Sequence, residues 1–295
     1  MMTVQVRYYS DPVCPWSWAA EPALRRLMWE FDGELEFVWV MGGLARRYGR
    51  EYRDEEGGIG AGPDCFADLI SHWLEVAADG LMPTDPRIWT ESPLTSTYPA
   101  CRAVKAAAEQ GWELAYRYLR RVREGIMVER RKLDHPEALL AAARGTHLDR
   151  ARFEIDLFSE ATTEAFTADI DEVRNPPEEA REAHAVRRTE GHERLSFPSA
   201  VFIGEGDGRH GVWAAAARSH PELRDSALAA GAKQVNEGAL EPLDAIRRFG
   251  RCATRELEIL AEKPLPVLEA ELWAMARDWK LKPVNALTGT LWEPA

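Results

Sequence analysis

Along the chain, the period of apolar and polar positions switches between two and about four. Residues 4–9 (VQVRYY) and 35–40 (LEFVWV) alternate as half-buried strands do. Between them Trp18, Leu24, Leu27, Met28 and Phe31 recur at helical spacing over 15–31, and Asp32-Gly33 closes the run. A strand, a helix and a strand of these lengths predict a parallel pair with a right-handed crossover. From 66 to 191 nearly everything has helical period: 66–78, 98–123, 136–144, 149–158, then pieces at 163–173 and 177–189. Strand period returns at 199–203 (SAVFI) and 210–213, with a glycine-rich turn at 204–208 between them. Ser219 followed by Glu222 has the form of a capping box and opens a helix to about residue 230. Beyond Gly238 come helical runs at 242–260 and 264–279, then segments 281–284 and 289–292 that read as a small hairpin.

Composition narrows the function. A net charge of −12 over 295 residues argues against a nucleic-acid or anionic-membrane surface. The chain enters a strand at once, without a basic region and an apolar core, and no run nears the roughly 18 apolar residues that span a bilayer. A cytoplasmic, reducing location and free thiols are therefore expected. Cys14, Cys65, Cys101 and Cys252 form no C-x-x-C pair, and the seven histidines form no ligand cluster, so neither a metal nor a resident cofactor is expected. The charged, glycine-rich stretch 46–63 reads as a loop. Its Gly58-Ile59-Gly60-Ala61-Gly62 follows no strand, which rejects nucleotide binding there.

The chemistry concentrates at Ser10-Asp11-Pro12-Val13-Cys14-Pro15-Trp16-Ser17. Pro15 suits a first helical position, which sets Cys14 at a helix N-terminus, facing free N–H groups and the positive end of the dipole. A thiol there should have a pKa below the free value of about 8.5 and act as a nucleophile; the alternative is a small, inert, buried residue. A strand, a turn and Cys-Pro-X-X at a helix start resemble the thioredoxin-like active site. The run DP-CPW-W with EP-x-L-x-x-L after it is similar to the DsbA and FrnE branch. Ser17 stands where that family has its second cysteine, so this turn cannot close its own disulfide. It can still form a mixed disulfide, and the Ser17 hydroxyl can donate to the Cys14 thiolate.

The resemblance implies further site residues. A thioredoxin-like protein carries a cis-proline facing the active cysteine, and Pro198 in LSFPSAVF (195–202) falls there, leaving the Phe197 backbone to pair with an extended substrate. A trans proline opening an edge strand is the plainer alternative. Trp16 is expected to point outward as an aromatic platform, with Pro15 beside it. Cys101, near the active site in this architecture, is a candidate resolving cysteine or else a small core residue. His184 and His192 flank the approach to Pro198.

The implied fold is α/β: a thioredoxin-like domain (1–43 and 195–232), interrupted by a DsbA-type all-helical insertion (44–194). A C-terminal helix-helix-hairpin module (233–295) resembling a reduced winged helix follows. Its charges are balanced and form no basic stripe, so protein docking or homodimerisation is expected before DNA binding. Together with SPLTSTYPACRAVKAAAEQG (92–111), this tail is similar to the YjbH/SpxH family of protease adaptors. The resemblance thus implies a thiol-disulfide oxidoreductase working through Cys14 on a protein or peptide client, with glutathione or another low-molecular-weight thiol as co-substrate. The alternatives are a non-catalytic client-binding adaptor and a kappa-class glutathione-transferase or isomerase-like activity.

Overall fold

Residues 3–49, 64–189, 192–204, 211–215 and 217–295 are described by a computed structural model. Strand β1 (Val4–Ser10) leads through α1 (Pro15–Ala19) and α2 (Glu21–Glu30) to β2 (Leu35–Met41), which lies parallel to β1 with Val6 opposite Phe37. One helix over 15–31 was expected; the structure has two, breaking at Ala20, with Pro22 lacking the N–H that would continue the first.

The helical block comprises α3 (Cys65–Gly80), α4 (Ile88–Glu91), α5 (Tyr98–Ala108), α6 (Trp112–Met127), α7 (Pro136–Ala142), α8 (Arg150–Leu157), α9 (Glu160–Arg174) and α10 (Glu178–Glu182). The expected helix 98–123 is likewise divided, at Gly111, whose φ of 112° no helix accommodates. Residues 177–189 depart further. After the short α10 the chain forms β3 (Val186–Thr189), which pairs antiparallel with β4 (His192–Leu195). Four-residue strands carry too little pattern to be told from helix.

The chain then returns to the sheet as β5 (Ser199–Ile203), antiparallel to β1, and β6 (Val212–Ala214), antiparallel to β5, giving the order β2-β1-β5-β6. Helix α11 (His220–Ala229), capped by Ser219, packs on α2. The glycine pattern 58–62 and His210 lie outside the described residues.

The tail folds as α12 (Pro242–Phe249), β7 (Cys252–Ala253), α13 (Thr254–Ala261), α14 (Leu265–Arg277), β8 (Leu281–Asn285) and β9 (Thr290–Pro294). Gly250, at φ 74°, divides the run 242–260. The expected hairpin forms and gains β7 as a third strand, in the order β7-β9-β8. Leu257, Leu260, Leu268, Leu272 and Trp292 make the tail's own core, which Trp29 of α2 enters.

Charge also joins tail to body. Glu21 of α2 accepts hydrogen bonds from Arg123 and Tyr116 of α6, and Arg120 of α6 makes a two-pronged pair with Glu256 of α13 at 2.9 Å on both arms. Arg25 lies 3.2 Å from Glu256, and Glu256 also accepts from the Ala253 N–H at 2.6 Å. The side chains of Glu21, Arg25, Arg123 and Glu256 have no exposure at all. So many buried charges are tolerable only because each carboxylate faces several guanidiniums. Among the described residues, no helix is long and apolar enough to cross a membrane.

Candidate active site around Cys14

Cys14 is the N-cap of α1, and Pro15 is the first helical residue. Its sulfur accepts the Ser17 N–H at 3.4 Å and lies 4.0 Å from the Phe197 carbonyl oxygen. The Phe197–Pro198 peptide is cis, and the Pro198 carbonyl accepts the Ala217 N–H at 3.2 Å. The structure thus brings Cys14, Ser17, Phe197 and Pro198 to one place, where β1 ends and β5 begins. Gly42, just after β2, makes room: a Cβ there would sit 1.8 Å from the Phe197 ring.

The electrostatics of the thiol reverse the expectation of a lowered pKa. Cys14 is only 4% exposed, packed among Tyr9, Val40, Leu195, Phe197 and Val201. Burial pushes its pKa up; hydrogen bonding from Ser17 pulls it down, the nearby Asp11 carboxylate adds to the rise, and Arg194 opposes it. Burial wins. The buried Ser17 hydroxyl has no other hydrogen-bond partner, so its proton is available to the sulfur.

Asp11 stands in the sequence motif, which by itself implies no role for its side chain. It is fully buried, takes the Val13 N–H on Oδ1 at 2.7 Å and the Leu44 N–H on Oδ2 at 2.8 Å, and so ties the active turn to the segment after β2. Cys101 donates its S–H to the same Oδ2 at 3.3 Å. Burial and the Asp11 charge push the Cys101 pKa well up, so this thiol sits near the site but stays protonated. Trp16 is half-buried. The Arg218 guanidinium covers its ring at 4.1 Å and His72 meets it edge-on at 6.1 Å, while Arg194 lies 4.8 Å over Phe197. These cations come from scattered elements, and no local pattern marks them. His184 lies in the turn after α10, and His192 opens β4 and is exposed. Among the described residues, no group of three His, Cys, Asp or Glu could hold a metal.

Comparison with known proteins agrees with this geometry. The family profile described as Thioredoxin matches residues 8–175. The ClpXP adapter protein SpxH of Halalkalibacterium halodurans is 28% identical over 57% of this chain and 53% of its own length. The chain thus spans about half the length of that relative. The SpxH of Bacillus licheniformis is 23% identical over 98% of this chain and 88% of its own. Two solved structures share the fold. A putative protein disulfide isomerase from Nitrosomonas europaea has a TM-score of 0.59 at 18% identity, over 77% of this chain and 97% of its own. The cytosolic disulfide reductase DsbM from Pseudomonas aeruginosa has 0.51 at 19%, over 75% and 94%. With its cysteine at a helix start across from a proline-led strand, and a family profile that matches more than half of its length, the chain belongs to the thioredoxin family.

Proposed function

We propose that the protein is a client-binding adaptor whose groove, bordered by Cys14, Trp16 and Phe197–Pro198, holds an extended segment of a protein client without rapid redox turnover. The observation that carries this reading is the state of the thiol: Cys14 is buried, its pKa is raised, and Ser17 stands where a second cysteine would resolve it. Cys101 is kept protonated on Asp11, which argues against it as the resolving partner. The SpxH relatives, adapters for ClpXP by name, support the same reading. The Phe197 backbone supplies strand-like pairing to the client, and the tail is free for a second contact. The four free cysteines suit a reducing cytoplasm. The test is an insulin-reduction assay beside client capture by wild type and Cys14→Ser. Negligible reduction with equal capture is expected; reduction at the rate of a dithiol enzyme would overturn the adaptor.

Monothiol exchange is the second reading, favoured by the Ser17 N–H aimed at the sulfur. The Cys14 thiol gives its proton to solvent, and the thiolate attacks one sulfur of a client disulfide. The client S–S bond breaks, a Cys14–client disulfide forms, and the other client sulfur leaves as thiolate. The thiolate of a low-molecular-weight thiol such as glutathione then attacks the client sulfur of that disulfide, forming a thiol–client disulfide and releasing Cys14 as thiolate. Intact mass spectrometry of protein purified without reductant should find a Cys14 adduct if this cycle runs, and an unmodified thiol if it does not.

A further inference from the structure

A cavity of about 530 Å³ opens where β2, α6 and α12 meet, and it shares no residue with the site around Cys14. Phe31, Phe37, Trp112 and Phe249 give it aromatic walls, with the rings of Phe37 and Trp112 5.3 Å apart. Six arginines line it against three carboxylates, in a chain whose net charge is −12. Most of those guanidiniums are engaged: Arg248 holds Asp32, Arg247 holds Asp244, and Arg120 holds Glu124. One keeps its donors unused. Arg117 is exposed and has no hydrogen-bond or ion-pair partner among the described residues. Arg121 commits Nη2 to Glu129 at 2.7 Å, and its Nη1 is buried beside Gly125, out of reach of the cavity.

Excess guanidinium beside aromatic faces is the chemistry that recognises a planar anion, since arginine both forks onto an oxyanion and stacks on rings. The volume lies within the range of small-ligand sites. We propose that this cavity binds a small amphipathic anion, its flat aromatic body against Phe37 and Trp112 and its carboxylate or phosphate on Arg117. Such a ligand touches the sheet, the helical block and the tail together.

The test titrates the full chain with 2-naphthoate and, separately, with AMP, following the Trp112 indole N–H resonance, assigned through Trp112→Phe. The two arms separate an aryl carboxylate from a nucleotide. At least one probe should saturate below millimolar concentration and move that resonance, and Arg117→Glu should weaken it about tenfold. Arg117 is exposed and unpartnered, so this variant should keep the wild-type Tm; if it does not fold, the neutral Arg117→Ala should weaken binding in the same direction. The site is refuted if neither probe saturates by millimolar concentration, if the Trp112 resonance stays put, or if charge reversal leaves the affinity unchanged.

Discussion

Cys14 and Glu21 stand at the starts of consecutive helices, both almost fully buried, and their acidities move in opposite directions. For Glu21, burial pushes the pKa up, but Arg123, Arg120 and Arg25 outweigh it, with the Tyr116 hydroxyl assisting, and the carboxyl ends below its ordinary value. For Cys14 the same burial is opposed by one serine and, more weakly, by Arg194, and the thiol ends above its ordinary value. Two sites in one connection therefore show that the count of facing cations, more than depth or helix position, decides which buried acid ionises.

The comparison is broken most severely at Glu21. Glu21→Gln leaves three guanidiniums short of a carboxylate and should cost about 3–5 kcal/mol, read as a fall in Tm of roughly 10 °C. Its pH dependence has a defined sign. A depressed folded pKa stabilises above the unfolded carboxylate value and loses that stability as pH falls through the folded one, so acid melts should weaken below about pH 4.5. A variant as stable as wild type would mean that the network is not held by this carboxylate.

At Cys14 the expectation is slow chemistry. Iodoacetamide should label it no faster than a model thiol near neutrality, with the rate still climbing above about pH 8.5. A plateau near pH 6 would contradict the raised acidity constant. Since the folded pKa is raised, the thiol's contribution to stability is present below the unfolded thiol value and is lost as pH rises beyond it. Cys252, pushed to about 12 by burial, should add to that alkaline loss.

Ser17 sharpens the contrast further. Ser17→Cys should raise insulin reduction several-fold by allowing a disulfide within the turn, whereas Ser17→Ala should move the Cys14 labelling profile slightly to higher pH. No gain from the cysteine variant would show that the burial of Cys14, and not the missing partner, limits exchange. The smallest effect belongs to Arg194→Ala. It removes the weakest of the named influences on the thiol and should shift the same profile only slightly upward.

The architecture was legible because strand and helix periods persist over long stretches such as 35–40 and 264–279. It failed where a few residues decide the element: Gly111 and Gly250 cut helices through backbone conformation, and β3 with β4 exist through pairing with each other. Cys14 and Pro198 stand in compact motifs and could be picked out by eye. The acidity of Cys14 could not, because it depends on Val40, Leu195 and Val201, which cluster with it only in the folded chain. The ionic network was invisible for the same reason. Glu21, Arg120 and Glu256 are far apart in the chain, and charged residues on helical periods read as solvated faces until three helices enclose them.

That network also bears on how the protein responds to heat. Hydration of charged groups becomes less favourable on warming, so the penalty for keeping Arg25, Arg120 and Glu256 dry shrinks while the gain from apolar contacts levels off. The junction of α13 with α2 and α6 should therefore hold its strength as the rest of the molecule loosens. A calorimetric scan should show residues 233–295 leaving with the sheet in one cooperative event, instead of peeling away first as an appended module would.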